Sequence, residues 1–255
     1  MKNTIYLYSG PGAAPGCLYQ TMHTLLQCLG SKYKISTIKQ EDVKTGSWQK
    51  DAACFVMPGG GDVWYQMYLH PMGNEKIKQY VESGGSYLGL CAGAYYAGKT
   101  VEFGLGKGSE VNQARGLEVH QDRDLQFFPG IVSGPTLAEY DHYTDTGVRA
   151  ADIQWGKRNL KLYFNGGGSF VEADKMSEVS ILANYNMDDG TQRAAVVETV
   201  TGLGKTVLSG VHFEFDPALI IPEYGLQEDI IPMLKASNSD RLEFLSYVFE
   251  KLRLI

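Results

Sequence analysis

The sequence has no apolar run long enough to span a membrane, and Ile5-Tyr6-Leu7-Tyr8 near its start is too short for the core of a secretion signal. A cytoplasmic location is the expectation. Cysteine is sparse: Cys17, Cys28, Cys54 and Cys91 are the 4 in 255 residues, and no two form a Cys-x-x-Cys pair. That spacing excludes a zinc ribbon, and the density is too low for a disulfide scaffold, so reduced thiols are expected. Positive charge is in deficit, with 23 Lys and Arg against 29 Asp and Glu, a formal net charge of -6. There is no basic footprint for a nucleic-acid backbone, and the acidic balance disfavours an anionic membrane surface. Neither nucleic acid nor membrane is an expected partner. Repeats, low-complexity tracts and domain linkers are also missing. The histidines show no convergent ligand spacing: His23 lies within a helical segment, His70 precedes Pro71, and His120 and His142 stand near Asp122 and Asp141 in an irregular middle region. No metal and no cofactor are expected.

The residues that are present suit one large α/β domain over residues 1–255. Hydrophobic residues make up 44% and charged residues 20%, ordinary values for a globular chain. Strand-like runs occur at Ile5 to Tyr8, Tyr33 to Ile38, Ala53 to Met57 and Ser86 to Leu90. Between them, Cys17 to Leu29 carries Leu18, Met22, Leu25, Leu26 and Leu29 at helical spacing, with Gly30 as a C-cap. Asn74 to Glu82 is a second helix, with Ile77, Tyr80 and Val81 on one face and Gly84-Gly85 as its stop. This alternation predicts a mainly parallel sheet covered on both faces. About 100–152 reads as an insertion of loops and short strands. Strands return at Leu160 to Phe164, Val179 to Tyr185, Ala194 to Val200 and Lys205 to Gly210, the last two joined by a hairpin turn at Thr201-Gly202-Leu203-Gly204. A closing helix from Asp240 to Leu252 is expected to bury Leu242, Leu245, Val248, Phe249 and Leu252.

The strongest chemical signal is Ser86-Tyr87-Leu88-Gly89-Leu90-Cys91-Ala92-Gly93-Ala94-Tyr95. An apolar strand runs into Gly-x-Cys-x-Gly and then a helix start, the cysteine form of a nucleophile elbow. Glycines two residues either side of Cys91 remove side chains that would clash, and the helix N-terminus favours a thiolate and offers N–H groups to an oxyanion. Cys17, Cys28 and Cys54 lack this context and read as packing residues. A thiol nucleophile needs a base and an orienter. His212 follows a late strand, and Glu214 two residues on faces the same side of an extended segment. Alone, His-x-Glu also fits a surface histidine beside an ordinary Glu; with the elbow it completes a Cys91–His212–Glu214 triad. Pro58-Gly59-Gly60-Gly61 follows a strand. Gly59 and Gly60 are oxyanion-hole candidates with Ala92, and a plain turn is the competing reading. The Walker pattern is absent, which excludes a P-loop. Gly61, Tyr95, Asn165 and Gly166 are candidates for substrate contact. The Asn165-Gly166-Gly167-Gly168 cluster either lines the pocket or is a loop with glycine-specific angles.

Pro58-Gly59-Gly60, Gly89-x-Cys91-x-Gly93 and His212-x-Glu214 occur in the order seen in class I glutamine amidotransferases, which the chain resembles. A nearer resemblance runs through Tyr8-Ser9-Gly10-Pro11-Gly12, Pro58 to Asp62, Gly84 to Ala97 and Val101-Glu102-Phe103. These are similar to the amidotransferase-like N-terminal domain of large biotin–protein ligases. The resemblance implies a flavodoxin-like three-layer α/β sandwich and a Cys-His-Glu triad acting on an amide or related acyl bond of a small molecule. The alternative is a binding or regulatory module that kept the fold without turnover. Two departures stand out. Glutaminases of the class carry Gln four residues after the nucleophile, where this chain has Tyr95. They also carry His-Pro-Glu, where this chain has His212-Phe213-Glu214. Glutamine is therefore not the expected substrate. A Gly-Arg-Gly-Arg loop for biotinyl-adenylate is absent, so a biotin-related role is expected only in trans, through a separate ligase or a biotin-derived amide substrate.

Overall fold

A computed structural model describes residues 2–105, 118–137, 140, 147–221 and 229–255. The first half alternates as expected: β1 (Thr4–Tyr8), α1 (Pro15–Leu29), β2 (Lys34–Ile38), α2 (Gln40–Thr45), β3 (Ala52–Met57), α3 (Asp62–Leu69), α4 (Met72–Glu82), β4 (Ser86–Leu90) and α5 (Ala92–Tyr96). The middle contributes β5 (Gly98–Phe103), β6 (Val119–Asp122) and β7 (Phe128–Gly134). Then come β8 (Arg149–Trp155), β9 (Arg158–Phe164), β10 (Ser169–Phe170), β11 (Val179–Asn186), β12 (Gln192–Thr201) and β13 (Gly204–Ser209). The chain closes with α6 (Ile230–Ala236) and α7 (Asn238–Lys251).

The main sheet has nine strands in the order β2-β1-β3-β4-β13-β12-β11-β8-β9. It is mixed, which corrects the expectation of a mainly parallel sheet. β2, β1, β3, β4 and β13 pair in parallel. From β13 outward, β12, β11, β8 and β9 pair antiparallel. Connection length decides this. A parallel neighbour needs a crossover of a dozen or more residues, which α1, α3 and α4 supply. β12 and β13 are joined only by Gly202-Leu203, with Gly202 at φ 58°, and so close as a hairpin. β5, β6, β7 and β10 form a second sheet, in the order β10-β7-β5-β6.

Alternate residues of the central strands feed cores on opposite faces. Ile5, Leu7, Cys54, Val56, Leu88 and Leu90 pack with Leu25 and Leu29 of α1 and Phe244, Leu245 and Val248 of α7. Phe55, Met57 and Tyr87 pack with Tyr65, Ile77 and Tyr80 from α3 and α4, and with Val101, Phe128 and Val132 of the second sheet. Leu242 does not join the buried face of α7; at 44% exposed it lies on the solvent side, one turn from Leu245. Cys54 packs in the core as expected, whereas Cys28 is exposed.

β4 turns directly into α5 at Cys91, whose backbone adopts φ 49°, ψ -104°, a conformation that L-residues rarely hold. The turn survives because the chain closes on itself where side chains are missing. A Cβ on Gly89 would stand 2.6 Å from the Gly93 carbonyl oxygen, and one on Gly93 would overlap the Met57 carbonyl. The Cys91 N–H donates to Ser209 O at 2.7 Å and the Gly93 N–H to Pro58 O at 3.2 Å, so β13 and the end of β3 clamp the elbow from both sides. Gly16, in the first turn of α1, has open space around its Cβ position. We expect Gly93→Ala to destabilise the fold by roughly 2–4 kcal/mol through backbone overlap, and Gly16→Ala to stabilise it by about 0.5–1 kcal/mol through helix propensity. Urea unfolding midpoints of the two variants check both signs.

Candidate functional site

Cys91 lies just past the C-terminal end of β4, between β3 and β13, at the kind of strand terminus where open α/β sheets place ligands. Its residue is 8% exposed, and its Sγ lies 3.7 Å from the Asn165 carbonyl, to which the thiol can donate. Asn165 directly follows β9, and that strand positions the base. The His212 N–H donates to Tyr163 O at 2.8 Å, closing an antiparallel bridge between Tyr163 and His212.

His212 Nδ1 and Glu214 Oε1 are 2.7 Å apart, with both side chains 3% exposed. The sequence reading placed these residues on an extended segment. They lie instead in a turn just after β13, where the Phe215 N–H reaches His212 O at 3.4 Å. The intervening Phe213 is fully buried against Phe244 of α7, which turns its two neighbours toward the site. Arg241 Nη1 donates to Phe213 O at 3.0 Å and Thr24 Oγ1 to Glu214 O at 2.6 Å, so α7 and α1 fix the turn. Phe215 covers the imidazole at 4.7 Å between ring centres and stacks on Tyr163.

The electrostatics of His212 are a contest. Burial pushes its pKa down, but the Glu214 charge and hydrogen bonds with Cys91 and Glu214 outweigh burial and hold it up at about 10. His212 therefore carries its proton at neutral pH. Cys17 stands nearby, since a Cβ on Gly59 would lie 2.7 Å from Cys17 Sγ and 2.8 Å from His212 Cε1. The sequence did not reveal this closeness. Burial, then the proximity of Glu214 and Cys91, push the Cys17 thiol up, away from reactivity.

A cleft of about 270 Å³ opens over Cys91. Of the candidates from the sequence, Ala92, Gly60, Gly61, Tyr95, Asn165 and Gly166 line it; Gly59 does not, lying instead against His212 and Cys17. Gly60 sits at φ 148°, and a Cβ there would overlap the Gly12 carbonyl. The Gly61 N–H is already bonded to Gly12 O at 2.8 Å. Tyr95 is buried, its hydroxyl donating to Gly166 O at 3.0 Å and its ring filling the space left by Gly134 and Gly168. Gly166 lies at φ 75°, so this glycine both lines the cleft and uses a left-handed backbone.

Several lining residues escaped the sequence reading: Asp62, Val63 and Trp64 from the start of α3, Phe103, Val119 and Tyr140. Asp62 directly follows the glycine loop, the one signal that pointed to it. Arg123, buried behind it, donates from Nε at 3.0 Å and Nη2 at 2.6 Å to Asp62 Oδ2. Burial raises the Asp62 carboxyl, and the Arg123 charge and hydrogen bonds, with backbone hydrogen bonds at Val63 and Asp62, offset only part of that rise. His23 pairs with Asp216, His70 with Asp124 and His120 with Glu102; His142 and Asp141 lie outside the described residues. Among the described residues no cluster of His, Cys, Asp and Glu has metal-binding geometry, and no helix is long and apolar enough to cross a membrane.

Residues 3–255 match the family described as biotin-protein ligase, N terminal. The chain belongs to this family. It is 34% identical over 256 residues to the biotin–protein ligase of Schizosaccharomyces pombe, covering 98% of this chain and 38% of the ligase. This biotin–protein ligase N-terminal family member thus spans well under half the length of that relative. It is also 35% identical over 248 residues to an uncharacterized protein of Chlamydia muridarum, covering 94% of this chain and 90% of that protein. Among solved structures, Gan42B, a GH42 beta-galactosidase from G. stearothermophilus, aligns with a TM-score of 0.54 at 13% identity, over 99% of this chain and 30% of the galactosidase. At that identity the likeness is one of fold.

The raised pKa of His212 has a consequence for stability. The folded chain holds this proton more tightly than the unfolded chain, whose histidine titrates near 6.5. The contribution is fully present below about pH 6.5 and is lost as pH rises through about 10. In Glu214→Gln burial acts without the opposing charge, so that variant lacks the contribution. We expect the stability advantage of the parent over Glu214→Gln, read from urea unfolding, to shrink steadily across this window. An advantage that stays constant or grows with pH is the contrary result.

Proposed function

We propose that this chain is a cysteine-dependent hydrolase or amidotransferase of the class I glutamine amidotransferase-like group. On this reading it acts on an amide or related acyl bond of a small molecule through Cys91, His212 and Glu214. The observation that carries the reading is the buried imidazole of His212, held by Glu214 at 2.7 Å, with Cys91 among the groups that raise its pKa, beneath an open cleft over Cys91. On this reading His212 is the group that exchanges protons at the Cys91 sulfur and at the leaving group.

The Cys91 sulfur attacks the substrate carbonyl carbon, and the carbonyl oxygen becomes an oxyanion. Gly60 and Ala92 line the same cleft, and their backbone N–H groups are the donors proposed for it. Gly59 serves differently from the sequence expectation, as a side-chain-free contact for the imidazole. His212, already protonated, gives its proton to the leaving nitrogen as the C–N bond breaks, which leaves a thioester on Cys91. Water or another acceptor then attacks the thioester carbon. His212 takes the proton of the attacking group, the C–S bond breaks, and the imidazolium beside Cys91 is restored. Glu214 fixes the tautomer by holding Nδ1–H and stabilises the imidazolium without itself taking a proton. Tyr95, in the position where glutaminases of the class carry Gln, supports a donor other than glutamine. Family membership makes a separate biotin ligase the proposed partner.

The test is intact-mass analysis after incubation with pooled amides and small esters. The reading expects a mass adduct that is absent in Cys91→Ala and that decays by at least about tenfold more slowly in His212→Gln, where deacylation lacks its base. Ligand-induced thermal shifts with no adduct and no turnover would instead support a binding module.

A further inference from the structure

The cleft over Cys91 has walls of a particular chemistry. Asp62 is the charged side chain among its described lining residues, and its carboxylate is 13% exposed. Its partner Arg123 is 0% exposed at the side chain, makes both of its bonds to Asp62 through Oδ2, and bonds Gln121 and Asp122 from Nη1. Arg123 is not among the described residues that line the cleft, so the charged group a ligand meets there is the Asp62 carboxylate. Around it stand aromatic rings. Tyr95 and Phe103 meet edge to face at 5.6 Å, Phe103 and Tyr140 do the same at 5.6 Å, and half-exposed Trp64 comes from the same helix as Asp62. Asn165, next to the sulfur, has a buried Oδ1 with no hydrogen-bond donor among the described residues. These groups are acceptors and π faces, which recognise cations and N–H donors.

We propose that the acyl donor is a small cationic amide or ester. Its apolar body lies among Tyr95, Phe103 and Tyr140, its ammonium group against Asp62 and Trp64, and a remaining N–H meets Asn165. This rests on the reading of Cys91 as the nucleophile and narrows it to a substrate class. It accounts for the mismatch with glutaminase chemistry in charge as well as shape. Glutamine fits this less well than a purely cationic donor, because it brings a carboxylate beside its ammonium group into a cleft that presents Asp62. The net charge of -6 acts in the same direction, drawing cations rather than anions toward the chain.

The recognition half is tested without chemistry, on the Cys91→Ala chain, with two probes of one shape and opposite charge: phenethylamine and 3-phenylpropionate. Binding is read by tryptophan fluorescence and by NMR shifts of the Trp64 indole. We expect the amine to bind at least about tenfold more tightly than the carboxylate, a preference that weakens as salt screens it. Asp62→Asn should abolish the preference. Because that change leaves Arg123 without its ion-pair partner, the salt dependence in the otherwise unaltered chain supplies a measure that does not need the variant to fold. Equal binding, tighter binding of the carboxylate, or no binding of either probe overturns the proposal.

Acylation separates this from the nucleophile reading. Phenylalanine methyl ester should label Cys91 in the parent chain at least about tenfold faster than its N-acetyl counterpart. Equal labelling by both esters overturns the cationic preference while Cys91 stands as nucleophile. Amine-selective binding with no labelling by either ester supports the cationic site and removes the nucleophile.

Discussion

The tight crossing of backbone at the end of β4 is the constraint on which the site depends. Gly93 lies so close to the Met57 carbonyl, and Gly89 to the Gly93 carbonyl, that no side chain fits at either position. With those contacts made, Cys91 is held at φ 49° between two strands rather than continuing either strand or helix. A strained residue persists only where its surroundings over-determine it. Here parallel pairing of β4 with β3 and β13 does so, because both neighbours end beside the elbow and supply its acceptors, Pro58 O and Ser209 O.

The second element is a buried pair of opposite charges. Burying His212 or Glu214 alone would be unfavourable, and the 2.7 Å contact between them offsets that penalty. The backbone beneath them is fixed by Arg241 and Thr24, two residues more than 200 positions apart on α7 and α1. The site is thus assembled from both faces and both ends of the chain. Cys91 comes from the parallel half of the sheet and Asn165 from the antiparallel half. His212 stands where the two halves join, just after β13.

Much of this was legible in the sequence where the signal is local. The strand into Gly89-x-Cys91-x-Gly93 identified the elbow, because steric exclusion acts between residues two apart. The central strands were recognisable because strands buried on both faces read as continuous apolar runs. The mixed sheet was not foreseen, although the Gly202 turn that enforces antiparallel pairing of β12 and β13 was. Beyond that hairpin, β8–β9 and β11–β12 pair between neighbours in sequence, but the β11–β8 pairing that joins them depends on strands distant in sequence. The aromatic wall was invisible for the same reason: Tyr95, Phe103 and Tyr140 are brought together by the second sheet and by no common periodicity. Leu242 shows the limit of counting apolar residues, since a leucine at helical spacing is still solvent-exposed when no neighbour covers it. Cys17 reads as an ordinary helix residue, and only the fold reveals that its thiol stands beside Gly59 and His212.

The central claim is that the protonated His212 makes Cys91 an activated nucleophile although it is buried. The most direct measurement is the rate of iodoacetamide alkylation of each cysteine at neutral pH, resolved by peptide mass spectrometry. Steric access alone favours the exposed Cys28. The account predicts that Cys91 reacts faster than Cys28, with Cys17 and Cys54 slowest, and that His212→Gln removes the advantage of Cys91. Alkylation of Cys28 ahead of Cys91 in the parent chain, or a Cys91 rate unchanged in His212→Gln, would contradict it.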